Sequence, residues 1–334
     1  MFLESQYNVR RYGWQATMNY DLVISKTPVR FSLAGGGTDL DSYYQKFGGL
    51  AVSMTIDKYV YVLVRRDSET RICAPSEHRS LPQAVVRELG LQKPAFISVV
   101  PELAGGTGLG TGGAITVGLI NAISFFNGKK LSKDRIADLA YKIERHKLKL
   151  SCGRKDQYST SFGGINLLRF DPDETVEVRP FKLSRRAAVE DLREHICLFD
   201  TGLRRSSEKI LSRQQGLSGG RIVEGLHYLK EGAQVIAQAL SRGDLERVGR
   251  RMHEEFLIKR KIIPGHSTRA INQAYERAMK VGAWGGRISG AGGGGYLIVF
   301  CPPAKRTKVI KALQPFSHLA FDFDFEGTKI IHAE

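Results

Sequence analysis

The sequence predicts an α+β fold in two domains, and three observations carry that reading. The chain has 334 residues, about twice the length of an ordinary domain. Strand-like apolar runs and helix-length runs are interleaved along it. Near Glu194 the texture changes, from mixed strands and helices to a helix-rich second half. Hydrophobic residues make up 42% and charged residues 25%, enough for a sizeable core and too apolar for a disordered chain.

The elements are expected in this order. Leu22–Ser25 and Val29–Leu33 are strand segments on either side of Pro28, followed by a turn at Gly35-Gly36-Gly37. Val52–Ile56 and Tyr59–Arg65 are rich in β-branched and aromatic residues and read as strands. Ala95–Val100 is a short apolar strand, and Ala114–Phe126 is apolar enough for a largely buried helix ended by Asn127-Gly128. Leu131–Leu150 reads as a second helix with Ser132 as its N-cap. Gly163-Gly164 precede the strand Ile165–Phe170, and a new strand starts at Ile196–Phe199. Helices are expected at about Ser207–Gln215, Ile222–Ser241, Asp244–Lys261 and Thr268–Val281, then a strand at Tyr296–Phe300 and a helix at Ala304–Leu313. The expected division is an extension over residues 1–17, a first domain over 18–195 and a second over 196–334.

With 50 Lys+Arg against 34 Asp+Glu, the net charge is +16, which attracts anions. Nucleic acid, an anionic membrane and phosphorylated metabolites all fit that charge. The basic residues are scattered, with no long basic tail, RNP-type aromatic stretch or zinc finger, so neither nucleic acid nor membrane is expected as a partner. No uncharged apolar run approaches the ~18 residues of a membrane span, and the first residues lack a signal-peptide core. The four cysteines lie far apart without a CxxC pair, which argues against a zinc site or disulfide framework and for a reducing compartment. A cytoplasmic protein, monomer or homodimer, is expected.

Three glycine clusters carry the chemistry. The middle one, Ala104–Gly113, lies between an apolar strand and a buried helix. Glycines let backbone N–H groups turn inward around an anion, and a helix N-terminus adds partial positive charge. No Lys follows a glycine here, so it is not a P-loop. Gly108, Gly110 and Gly113 satisfy GxGxxG, but the strand ends too early and the helix leads to another helix, which excludes a dinucleotide site. The first cluster, Gly35-Gly36-Gly37-Thr38-Asp39, places an acid after a flexible turn, where it could accept hydrogen bonds from hydroxyl groups. In the last, Gly290–Gly295, backbone can approach either a ligand or a neighbouring loop.

Seven segments in order resemble the GHMP small-molecule kinases: TPVRFSLAGGGTDL (Thr27–Leu40), GGLAVSMTIDKYVYV (Gly48–Val62), GTGLGTGGAITVGLINAI (Gly106–Ile123), YKIER (Tyr141–Arg145), GRKDQYSTSFGGIN (Gly153–Asn166), LFDTGLRRSS (Leu198–Ser207) and GGRISGAGGGGYL (Gly285–Leu297). The likeness covers nearly the whole chain from Leu22 and is greatest to the bacterial D-glycero-D-manno-heptose 7-phosphate kinases, with L-fucokinase domains next. It implies a two-domain GHMP kinase fold, an N-terminal α/β domain with a Gly-rich phosphate loop and a C-terminal ferredoxin-like α+β domain. It also implies ATP and Mg²⁺ as cofactors and phosphorylation of the anomeric hydroxyl of a sugar phosphate, D-glycero-D-manno-heptose 7-phosphate, to the 1,7-bisphosphate. The alternatives are a kinase for an unphosphorylated sugar of the L-fucose or galactose type, or a catalytically weak sensor that binds sugar and nucleotide.

By that resemblance Gly106, Thr107, Gly108, Leu109, Gly110 and Thr111 wrap the ATP phosphates. Thr111 and Glu144 hold Mg²⁺, as hard oxygen ligands do. Asp156 sits by the accepting hydroxyl and Arg30 pairs with it, lowering its pKa and neutralising the transferred phosphoryl group. Asp39 binds sugar hydroxyls, with Gly37, Thr38, Gly292 and Gly293 beside it on the substrate side. For a substrate phosphate, Arg204 or Arg205 in Thr201–Ser207 is the favoured contact, with Lys155 another candidate. The chain departs from its relatives after Gly-Leu-Gly, where they usually carry two or more serines and it has Thr111-Gly112-Gly113. One hydroxyl is kept and the second is lost.

Overall fold

The structure is a computed structural model that describes residues 20–181, 186–204 and 220–334. The expected extension over 1–17, the helix expected over 207–215 and Arg205 lie outside the described residues.

The first sheet has seven strands. A central path orders β11 (Lys329–Ala333), β1 (Leu22–Ala34), β2 (Gly49–Arg66), β4 (Ala95–Pro101) and β3 (Arg71–Cys73). The 18-residue β2 is one strand where two were expected, and it serves two partners: Val60–Arg66 pair with β4, and Gly49–Met54 pair with β5 (Ile165–Phe170). β6 (Val176–Pro180) completes this edge. Pairing is antiparallel except between β3 and β4. β1 likewise runs unbroken through Pro28, with a register shift just after it. Its second half is buried on both faces, since helices cover the sheet there.

The helix α3 (Thr111–Phe126) is buried on nearly every side, as its uniformly apolar sequence requires. Gly118 lets it approach β1 closely: Ser25 Oγ donates to Gly118 O at 2.9 Å, and a Cβ at 118 would stand 3.0 Å from Thr27 Oγ1. Around it lie α2 (Ser80–Leu89), α4 (Lys133–Lys142) and α5 (Lys155–Phe162), while α1 (Asp41–Phe47) buries Tyr43 and Tyr44 in separate clusters. The single helix expected over 131–150 is a correction: α4 ends at Lys142 and a π-helical turn, Ile143–Lys147, follows. Ser132 precedes α4 but makes no side-chain capping bond.

After α6 (Arg186–His195) the chain enters a second, antiparallel sheet in the order β10 (Ser317–Leu319), β7 (Ile196–Asp200), β9 (Tyr296–Phe300) and β8 (Gly285–Ile288). Its helices are α7 (Gly220–Arg242), α8 (Leu245–Ile262), α9 (Arg269–Lys280) and α10 (Pro303–Ala312). Two caps are made by the residue types the sequence offers: Asp244 accepts from Arg247 N–H at 3.1 Å, and Thr268 from Ile271 N–H at 3.3 Å. The two halves share a core, in which Ala233 and Ile236 of α7 join the side chains of β1, β2 and α3. The terminal β11 pairs with β1 in the first sheet, so residues 329–333 of the expected second unit lie in the sheet of the first.

Candidate active site

A cavity of about 780 Å³ opens where the halves meet. One wall is the glycine loop that enters α3. Gly106, Gly108 and Gly110 take positive φ of 73°, 78° and 77°, a left-handed conformation that favours glycine. The first-turn N–H groups of α3, at Thr111, Gly112 and Gly113, have no intrahelical acceptor by helix geometry, and all three residues line the cavity. Backbone donors and the helix dipole thus face the same space, the arrangement that suits a polyphosphate. Thr107 and the three positive-φ glycines line the cavity too, but Leu109 does not. Its side chain is fully buried and its carbonyl accepts from Arg30 N–H at 2.8 Å, so Leu109 anchors the loop.

Arg30 on β1 and Asp156 in the first turn of α5 form a fork: Nε donates to Oδ1 at 2.7 Å and Nη2 to Oδ2 at 2.5 Å. Nη1 of Arg30 donates to Gly108 O at 2.8 Å, tying the carboxylate to the glycine loop. Gly110 is needed for this: a Cβ there would stand 2.9 Å from Arg30 Nε. Burial pushes the Asp156 carboxyl upward, but Arg30 and then Lys155 outweigh it and hold the group below its ordinary range. Asp156 is therefore ionised at neutral pH. Gly113 admits it to this position, since a Cβ at 113 would stand 3.1 Å from Asp156 Cβ.

Glu144 reaches the cavity because the π-helical turn turns it inward, and it is 5% exposed. Its Oε2 accepts from Gln157 Nε2 at 3.0 Å; among the described residues Oε1 has no hydrogen-bond partner, nor have the hydroxyls of Thr107 and Thr111. Burial pushes its carboxyl up to about 7. An unsatisfied buried polar atom costs roughly 1–3 kcal/mol, a cost that a bound group of matching charge or hydrogen-bonding capacity would relieve. A carboxylate and hydroxyl oxygens suit a hard divalent cation that also takes phosphate oxygens. Among the described residues no three His, Cys, Asp or Glu side chains cluster to hold a metal by themselves.

Asp39 is held at the opposite wall, Oδ1 accepting from Gly37 N–H at 3.0 Å and Oδ2 from Lys155 N–H at 3.3 Å. Lys155 Nζ stands between the two acids, 3.8 Å from Asp39 and 3.7 Å from Asp156. Gly37, Asp39 and Lys155 line the cavity.

Three expected substrate residues need correction. Thr38 is buried away from the cavity, its hydroxyl 2.8 Å from Gly35 O and 2.9 Å from Leu50 O, locking the turn. Gly292 and Gly293 pack on His266, where Gly293 N–H donates to His266 O at 2.5 Å, and the cavity wall is instead Gly290 and Ala291. Most of this third cluster serves close packing: a Cβ at Gly295 would stand 2.2 Å from Thr107 O. Arg204 lines the cavity, but Asp200 already takes both its Nη atoms, at 2.7 and 2.6 Å.

Sequence reasoning missed Glu77, His78, Gly36, Lys259 and Arg287. Glu77 and His78 stand beside the loop, with Glu77 Oε1 and His78 Nε2 each 3.0 Å from a Cβ at Gly105. Nothing in their short segment signals it. Lys259 was legible in principle, for it continues the buried stripe Leu245, Val248, Met252, Phe256 of α8.

Residues 80–164 match the GHMP kinases N terminal domain and residues 236–317 the GHMP kinases C terminal domain. A D-glycero-alpha-D-manno-heptose 7-phosphate kinase of Campylobacter jejuni is 30% identical over 91% of this chain and 97% of its own. The crystal structure of a D-glycero-D-manno-heptose 1-phosphate kinase from Bacteroides thetaiotaomicron superposes with a TM-score of 0.75 at 27% identity, covering 93% of this chain and 99% of that one. Lactococcus lactis galactokinase, at 14% identity and a TM-score of 0.72 over 92% of this chain and 95% of its own, shares the fold. With a glycine loop opening onto a helix N-terminus and an Arg-paired carboxylate in the same cavity, the chain belongs to the GHMP kinases and is an ATP-dependent phosphotransferase.

Proposed function

We propose that this protein is a sugar kinase that moves the γ-phosphoryl group of ATP to the anomeric hydroxyl of D-glycero-D-manno-heptose 7-phosphate, giving the 1,7-bisphosphate. The observation that carries the reading is the Arg30–Asp156 fork, tied to the phosphate loop through Gly108 O and facing the same cavity as Asp39. Phosphoryl transfer asks for positioning and charge neutralisation more than covalent chemistry, and this wall offers both.

In the proposed reaction the loop from Gly106 to Thr111 and the first turn of α3 hold the phosphates by backbone N–H groups. Asp39 and the backbone of Gly37 orient the sugar hydroxyls. The anomeric O–H donates to Asp156. As the new O–P bond forms and the bond from the γ-phosphorus to the bridging oxygen breaks, the hydroxyl proton passes to the Asp156 carboxylate and ADP departs. A carboxylate with a depressed pKa is a weak base, so this proton moves late, once the attacking oxygen has become acidic. Arg30 stabilises charge on the equatorial oxygens of the phosphoryl group. Mg²⁺, for which Thr111 and Glu144 provide fitting oxygen donors, would supply further neutralisation of the phosphates.

The identity and coverage of the Campylobacter relative support the heptose substrate. No described helix is long and apolar enough to cross a membrane, and the four cysteines are free, which supports a cytoplasmic enzyme. The test is coupled ADP release with Mg²⁺-ATP against heptose 7-phosphate, heptose, L-fucose and galactose, beside Asp156→Asn. Turnover confined to the 7-phosphate and lost in the variant is expected. Nucleotide binding without ADP release on any sugar would replace the kinase reading with a binding role.

A further inference from the structure

Three cationic heads from three separate elements converge on one glycine. A Cβ at Gly36 would stand 3.2 Å from Arg287 Nη2, 3.2 Å from Lys259 Nζ and 3.9 Å from Lys155 Nζ. Lys259 comes from α8, Arg287 from β8 and Lys155 from α5, and none is more than 7% exposed. Gly36, Lys155 and Lys259 line the cavity. The backbone at Gly36 does not demand glycine, since its φ lies outside the left-handed region, unlike its neighbours Gly35 and Gly37. What glycine preserves there is space in front of the three cations.

The charges around that space do not balance. Arg287 Nη1 meets Glu255 at 3.4 Å, and Lys155 is shared between Asp39 and Asp156, but no ion pair among the described residues reaches Lys259. Asp156 is already taken by Arg30. With Arg30 and Asp156 included, four cations face three carboxylates, Asp39, Asp156 and Glu255, and burial pushes the Glu255 carboxyl up, toward its uncharged form. Burial and then Arg287 push the Lys259 ammonium well below its usual range, against the opposing pull of Glu255 and Asp39. Buried like charges are costly unless paired. A phosphate monoester, with about −1.5 to −2 charge near neutral pH and three acceptor oxygens, would supply both the pairing and the hydrogen bonds.

Glu77, His78, Arg30, Asp156 and Ser289 stand against the glycine loop, whereas Lys155, Lys259 and Arg287 gather around Gly36, and Lys155 joins the two groups through Asp39 and Asp156. We propose that Gly36, Lys155, Lys259 and Arg287 form a second anion site, which takes the phosphate monoester carried by the acceptor sugar. This rests on the sugar-kinase reading above and moves the expected phosphate contact away from Arg204, whose guanidinium Asp200 occupies.

The experiment measures binding by calorimetry without nucleotide, for two pairs of sugars: heptose 7-phosphate against heptose, and mannose 6-phosphate against mannose. Wild type is compared with Lys259→Met and Gly36→Asp. For at least one pair, wild type should favour the phosphorylated member by about a hundredfold or more, as two charged hydrogen bonds would give. Lys259→Met should cut that ratio about tenfold, as loss of one of them would. Gly36→Asp places a carboxylate among the cations, so it should abolish the preference while raising the melting temperature, a gain that a disrupted structure would not show. If Lys259→Met fails to fold, Gly36→Asp decides alone. No preference for any phosphorylated sugar in wild type, an unaltered ratio in the folded variants, or equal weakening of both members of a pair would each overturn the site. ADP release is read separately: none from wild type, with the phosphate preference present and lost in the variants, would keep the anion site and remove the kinase substrate.

Discussion

Residues 106–113 present backbone N–H groups and the start of a helix to the cavity; around Gly36, Asp39, Lys155, Lys259 and Arg287 bring charged side chains together, with Asp156 between the two groups. The first group is built from one short stretch of chain, in which the side chains matter chiefly by being absent. The second is assembled from residues up to 248 positions apart in the numbering, Asp39 to Arg287, and its charges meet only through the tertiary fold. The difference predicts how each group fails. Removing a side chain should break the second group and leave the first intact, whereas adding a Cβ should break the first.

The largest effect should come from Asp156→Asn. It keeps the shape and removes the charge, and kcat should fall about 10²–10⁴-fold, the usual range for a positioned proton acceptor. The affinity for ATP, measured by titration, should change little. If nucleotide affinity falls in parallel, the two groups are not separable in the way described.

Next is Gly108→Ala. Its φ is +78° and the new Cβ would stand 2.4 Å from Ser289 O, a backbone atom that cannot swing aside. Left-handed strain and overpacking together should cost roughly 2–4 kcal/mol, with weakened ATP binding. Gly90→Ala is the control, because its φ is +70° with nothing within 4 Å, and it should cost only about 1–2 kcal/mol. Equal melting-temperature losses in the two variants would show that the contact with Ser289 carries no weight.

Glu144→Gln should raise the Mg²⁺ concentration needed for half-maximal rate by about tenfold, equivalent to ~1.4 kcal/mol. The stability of the metal-free protein should not fall, since burial already disfavours the charged carboxylate. An unaltered Mg²⁺ dependence would leave the orphaned Oε1 without a role.

The smallest effect is with pH. The folded Asp156 has a pKa below its unfolded value, so the stability it adds is fully present above the unfolded pKa of about 3.9 and is lost as pH falls through the lower folded value. The melting-temperature difference between wild type and Asp156→Asn should therefore be flat from about pH 5 to 8 and shrink only below about pH 4. A difference that shrinks near pH 6 would mean that Arg30 does not hold the carboxylate ionised.

The comparison also separates what could be read in the chain from what could not. A strand, a glycine run and an apolar helix in succession are adjacent in sequence, and the structure keeps them adjacent. The buried turn that aims Glu144 was unreadable, because the apolar period of Leu131–Leu150 continues through the point where α4 gives way to a π-helical turn. Within Lys259-Arg260-Lys261 the apolar stripe of α8 marks Lys259 as inward, but only the packing of α8 against β8 decides which charges it meets. The third glycine cluster looked equally suited to ligand or loop, and only its seat on Thr107, Gly108 and His266 decides for packing.

By itself the sequence determined the glycine loop, the helix behind it and the two-part α+β plan, because backbone conformation and hydrophobic periodicity are properties of neighbours in the chain. The tertiary structure alone decided which charges meet: Arg30 with Asp156, Arg204 with Asp200, and Lys155, Lys259 and Arg287 around Gly36. Electrostatic attraction and desolvation act through distance in space and burial, and separation along the chain specifies neither.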